Sequence, residues 1–115
     1  MRVYLPTTLT GLAAWHAAGE VPAGTDRVVA PDETEEGEYA ALLGAADASA
    51  ALLAGPGRRV VVVAELADGA PSDGPVPLKQ VVAVHADTED RPVDADPDED
   101  LAWFATQEIE FLISG

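Results

Sequence analysis

The segment Arg59-Val60-Val61-Val62-Val63-Ala64-Glu65-Leu66 carries four consecutive valines. β-Branched side chains favour extended backbone, and a run without polar alternation leaves neither face for water. It predicts a central strand buried on both sides. The rest of the chain must then form layers that cover it. At 115 residues, the chain is read as one domain, residues 1–115, with one modest core.

The other elements follow from punctuation. Arg2 to Leu5 reads as a first strand ended by Pro6, and Thr7 or Thr8 caps a helix over Leu9–Ala18 that stops at Gly19. Asp26 to Ala30 is a second strand, ended by Pro31. Asp32 with Glu35 resembles a capping box, and the acidic residues that follow suit the positive end of a helix dipole. That helix runs to about Ala54 with Tyr39, Leu42, Leu43, Ala46, Ala50 and Leu53 as its apolar stripe. Gly55-Pro56-Gly57 ends it. A turn-rich loop precedes a fourth strand over Pro77–Ala86. An acidic loop at about 86–100 opens a last helix that reaches Ile113. The order β-α-β-α-β-β-α implies an α/β (or α+β) fold with a four-stranded mixed sheet packed with helices.

Charge narrows the partners. Twenty-one carboxylates face six basic side chains, a net charge of −15. Phosphate binding needs Lys and Arg, so direct nucleic-acid and anionic-membrane binding are excluded, and a basic protein surface is the favoured partner. The same charge equally serves solubility or a high-salt habitat. Cysteine is absent, which removes disulfides and thiolate metal sites. Met1 to Pro6 lacks the apolar core of a signal peptide, and the longest apolar run is too short to span a bilayer. A cytoplasmic protein is expected.

The chemistry-bearing residues lie mostly after residue 84. On a helix of about 100° per residue, Glu108 falls inside the apolar stripe of Leu101, Phe104, Ala105, Ile109, Phe111 and Leu112, while Trp103 falls on the polar side. A carboxylate so placed needs a partner, and Arg2, Arg58 and Arg59 are the candidates. An outward tryptophan is a docking candidate or is covered by the acidic loop. Trp103, Glu108, Asp98 and Asp100 form the candidate partner-binding set. His85, Asp87 and Glu89 alternate at the end of the fourth strand and form a candidate ligand or metal set; a solvated histidine before an acidic loop is the simpler reading. His16 sits within an apolar stripe as a packed or rim histidine. Asp94, Asp96 and Asp98 open like a calcium loop, but Glu99 stands where glycine is needed and Ala105 where glutamate is needed. No P-loop or hydrolytic triad is present, and no cofactor is implied.

Met1-Arg2-Val3-Tyr4-Leu5-Pro6-Thr7-Thr8-Leu9, Arg58-Arg59-Val60-Val61-Val62, Pro77 to His85, and Trp103 to Ile109 resemble a small actinobacterial family of unknown function. The resemblance lies mostly in the expected strands and the last helix. It implies a cytosolic bacterial protein with this element order, and brings no catalytic residue. The chain is shorter than that family around residues 20–30 and in the acidic loop.

Three functional readings follow. The first is a non-catalytic interaction or regulatory module that docks through the acidic loop and the C-terminal helix. The second is a small enzyme or ligand-binding domain at the sheet edge near His85, which requires a pocket joining His85 to Glu108 and an arginine. The third is an acidic mimic of nucleic acid, with carboxylates spaced like phosphates.

Overall fold

The computed structural model describes residues 1–67, 69–71, 73–92, 94–96 and 99–114. The valine run forms strand β4 (Val60–Glu65) at the centre of a five-stranded sheet in the order β3-β1-β4-β6-β7. Its neighbours are β1 (Arg2–Thr7) and β6 (Val81–Ala86), with β3 (Val28–Val29) and β7 (Ala102–Phe104) at the two edges. Every pairing in this sheet is antiparallel. A separate two-stranded ribbon joins β2 (Glu20–Val21) to β5 (Val76–Pro77).

Both faces of β4 are covered, as four valines in a row require. Val60 and Val62 belong to one apolar cluster with Val3, Leu5 and Val84; Leu12 of helix α1 (Leu9–Ala18) and Ile109 and Leu112 of helix α3 (Ile109–Ser114) close it. Val61 and Val63 belong to the opposite cluster with Tyr4 and Ala83, under Ala41, Ala45 and Ala46 of helix α2 (Glu35–Ala51). The molecule is therefore a helix–sheet–helix sandwich of mixed α+β type.

The expected four-stranded mixed sheet is corrected to an antiparallel sheet of five strands plus the ribbon. The strand–helix alternation suggested parallel crossovers. The second expected strand, seen as β3, runs antiparallel to β1 between α1 and α2, so the chain leaves α2 into β4 antiparallel to β1. Pro6 does not end β1. It continues to Thr7, pairing Pro6 with Val61, because β3 covers only Val3 and Tyr4. Beyond that point β1 is an edge, where proline is tolerated. The expected fourth strand is divided into β5, a 3-10 turn over Leu78–Gln80, and β6. A bulge breaks the register between Val63 and Ala64, so Val81 and Val84 both join the α1–α3 face while Val82 stays exposed.

Helix caps follow local chemistry. Thr8 Oγ1 accepts from the Gly11 amide, and Gly19 closes α1 in the left-handed region at φ 79°. Thr34, rather than Asp32, caps α2 by accepting from the Gly37 amide; Asp32 braces it by accepting from the Thr34 amide and hydroxyl. The face that α2 buries is the small-residue one, Gly37, Ala41, Ala45, Ala46 and Ser49. Of the expected stripe, Ala46 is buried and Leu42 packs on the sheet, but Tyr39 is half exposed and Ala50 faces solvent. Branched valines beneath leave room only for small side chains, and Ser49 must reach the backbone. Its hydroxyl donates to Thr7 O at 2.6 Å and accepts from Val60 N at 2.8 Å.

The largest correction concerns the C-terminus. No single helix spans residues 101–113. Ala102–Phe104 is strand β7, Thr106–Glu108 a 3-10 turn, and α3 only the last six residues to Ser114. Trp and Phe side chains suit a pleated strand, and the helical angles assigned to Glu108 and Trp103 do not apply.

Candidate functional site

Antiparallel pairing of β4 with β6 sets Val60 opposite Ala86. One step further out, Arg59 meets Asp87. The Asp87 amide donates to Arg59 O, and the carboxylate accepts from Arg59 N at 2.8 Å, Nε at 3.0 Å and Nη2 at 2.8 Å. The two side chains are 2% and 7% exposed, so this is a buried, bidentate ion pair. Hydrogen bonding to Asp87 raises the Arg59 pKa above its ordinary value, which keeps the guanidinium charged.

This pair ties down the acidic loop. Arg59 Nη2 also donates to Glu99 O at 2.9 Å. Arg91 exchanges both backbone hydrogen bonds with Gly57, and its Nε lies 3.2 Å from the Glu99 carboxylate and 3.9 Å from Asp87. Arg91 Nη2 donates to Asp96 O. The Asp94–Asp96 stretch, whose opening resembles a calcium loop, is contacted by a guanidinium at the Asp96 main-chain oxygen. Asp98 lies outside the described residues.

The chain then enters β7, which pairs with β6 so that His85 lies opposite Trp103 and Val84 opposite Phe104. β7 ends the sheet. Trp103 is 61% exposed on the α2 side, beside Tyr39 at 50%. Tyr39 Oη donates to Asp100 Oδ1 at 3.2 Å. Phe104 points to the other face and packs on the α1–α3 core, where Phe111 is 73% exposed. The expectation that both phenylalanines face inward is corrected. Phe111 is outward because α3 buries the face of Ile109 and Leu112, and at about 100° per residue Phe111 lies roughly opposite Ile109.

The predicted residues are dispersed. Glu108 is exposed, and its Oε1 accepts from the Ala105 amide at 2.9 Å, closing the 3-10 turn. Its expected arginine partners are engaged elsewhere: Arg2 with Glu65 and Glu38, Arg58 with Asp90, Arg59 with Asp87. His85 lines a shallow cavity of about 250 Å³ with Leu42, Ala46, Glu99, Asp100 and Trp103; Glu108 is not part of it. Asp87 turns to Arg59 and Glu89 is exposed, and the described residues bring no three His, Asp or Glu side chains together as a metal site. His16 is half-buried and lies 3.9 Å from Glu110. Sequence reasoning missed the Arg59–Asp87 pair, although an arginine just before one strand and an aspartate just after the next signal it once their pairing is antiparallel.

Burial lowers the His85 pKa from 6.5, because desolvation disfavours the imidazolium. The folded state then holds the proton more weakly than the unfolded chain does. The contribution to stability is complete above pH 6.5 and is lost as the pH falls below it. Unfolding free energies measured from neutral to acidic pH should therefore fall less steeply for His85→Gln than for the parent below pH 6.5. Identical slopes would contradict this assignment.

Among the described residues, no helix is long and apolar enough to cross a membrane. No curated protein and no solved structure matches the chain. A model of a family of unknown function, DUF6912, matches residues 1–113. The chain thus belongs to that family over essentially its whole length.

Proposed function

We propose that this protein is a cytoplasmic, non-catalytic docking module, whose β7 edge receives an extended basic segment of a partner protein. One observation carries the proposal: the terminal strand of the sheet presents a 61% exposed tryptophan at its middle position. An edge strand offers unpaired backbone donors and acceptors, and strand addition is a common mode of peptide recognition.

Both faces of that edge support the reading. A strand added beside β7 sends alternate side chains to Trp103 and Tyr39 on one face, and to Phe104 and Phe111 on the other. The surrounding charges are Glu99, Asp100, Glu108 and Glu110, all exposed, so Lys and Arg on the incoming segment are favoured. Buried tryptophans often dominate interface energetics. The acidic loop contributes by its anchorage, since the Arg59 and Arg91 contacts hold Glu99 beside the strand.

Capture from native lysate on immobilised protein tests this. Trp103→Ala should weaken the captured partner's affinity by about 2 kcal/mol or more, roughly 30-fold. Rising salt should weaken it further. Equal affinities for Trp103→Ala and the parent would refute the proposal.

A further inference from the structure

On α2, Tyr39, Leu42, Leu43 and Ala46 recur at i, i+3, i+4 and i+7 and so share one side of the helix. That side lies next to the small-residue face seated on the sheet. With His85 and Trp103 it lines the cavity of about 250 Å³ at the β7 end of the sheet. His85 and Trp103 are directly opposed across β6 and β7, so their side chains stand together on the α2 face. Beyond β7 the sheet has no further strand.

The charge in this cavity is of one sign. Glu99 is ion-paired with Arg91. Asp100 has only the neutral Tyr39 hydroxyl, 3.2 Å from its Oδ1, and forms no ion pair among the described residues. His85 supplies no counter-charge at neutral pH, because burial lowers its pKa. No lysine or arginine belongs to the lining. Trp103 and Tyr39 add two exposed aromatic rings, whose faces attract cations.

We infer that this cavity receives the guanidinium of an arginine on the docked segment. The inference rests on the docking reading and names the side chain that the β7 edge selects. On an added strand, a residue opposite Trp103 on the same face has its Cβ about 4.5–5.5 Å from that of Trp103. The stem of an arginine there lies along the indole, and its head reaches toward the Tyr39–Asp100 end. Leu42, Leu43, Ala46 and Leu101 make the surround largely apolar. A guanidinium is more weakly hydrated than an ammonium, so it enters such a surround at lower cost. It is also planar, and can stack on an indole while its N–H groups meet a carboxylate.

The test is a titration of the full chain with N-acetyl-L-arginine N-methylamide, followed by amide shifts and the Trp103 indole signal. Saturable changes are expected at Leu42, Asp100 and Trp103. The citrulline counterpart, of the same shape but uncharged, should bind about tenfold more weakly or worse. The lysine counterpart should bind about threefold more weakly or worse. Asp100→Asn keeps an acceptor for the Tyr39 hydroxyl and should weaken the arginine probe about tenfold. Absence of saturable changes, equal binding of the citrulline counterpart, or unchanged binding to Asp100→Asn overturns the inference. Equal binding of the lysine counterpart also overturns it, since attraction to the net charge of −15 would then suffice. A single capped residue needs no strand addition, so the two readings fail separately. Arginine binding in a protein whose β7 amides are never protected by a partner removes the docking reading alone; protected β7 amides without arginine binding remove the cavity assignment alone.

Discussion

Asp87→Ala is expected to destabilise the protein by about 3–5 kcal/mol, the usual cost of removing one partner from a buried ion pair. The Asp87 carboxylate is the acceptor for three nitrogens of Arg59, one of them the backbone amide at the start of β4. Truncation leaves a guanidinium that is 2% exposed without its counter-charge. It also releases the acidic loop, because Arg91 lies near the same carboxylate. Denaturant unfolding checks the magnitude. Replacing both partners, Arg59→Met with Asp87→Leu, should cost much less than the single change, since an apolar pair can substitute for a buried ionic one. A double variant as unstable as Asp87→Ala would show that the loop contacts, rather than the uncompensated charge, carry the effect.

Ser49→Ala is the second large effect. The hydroxyl bridges α2 to the ends of two strands, donating to Thr7 O and accepting from Val60 N. Ser49 is fully buried, so water cannot replace the lost oxygen. Each backbone group left unsatisfied costs about 1–3 kcal/mol, and there are two. Ser49→Thr keeps the oxygen but adds a methyl group to a close helix–sheet contact, so it should restore only part of the stability. A loss well below 1 kcal/mol on thermal or denaturant unfolding of Ser49→Ala would contradict this account of how α2 is seated.

The core was more legible than the site. The valine run announced a doubly covered strand, and Thr8 and Gly19 bounded α1 at the residues observed. Those signals are local: β-branching, a capping hydroxyl, a glycine at positive φ. The second strand, expected from Asp26 to Ala30, is present as β3, shortened to Val28–Val29, but its antiparallel pairing with β1 was not read, and β2 escaped notice because two residues carry no periodicity. Without that direction, Arg59 and Asp87 could not be recognised as opposed ends of paired strands. On α2 the large apolar residues drew the stripe toward Leu42 and Leu43, while the sheet demanded small ones. In the last segment, Leu101 to Leu112 fits a helical period, but Ala102–Phe104 is claimed by the open edge of β6. Tertiary pairing thus overrode local period.

That same override changed the meaning of the C-terminal residues. Glu108, expected as a buried carboxylate in need of an arginine, closes its own turn instead. Trp103 remains outward, and as part of a strand it brings an unpaired backbone edge with it. The acidic loop is fastened to the core through Arg59 and Arg91, with Asp100 held toward Tyr39.

Amide hydrogen exchange of the protein with its captured partner is the most direct measurement of docking at β7. Strand addition predicts slowed exchange at outward-facing amides within Ala102–Phe104, together with a change in Trp103 fluorescence, both absent in Trp103→Ala. Slowed exchange confined to other surfaces, with the β7 amides and Trp103 unchanged in a saturated complex, would contradict it.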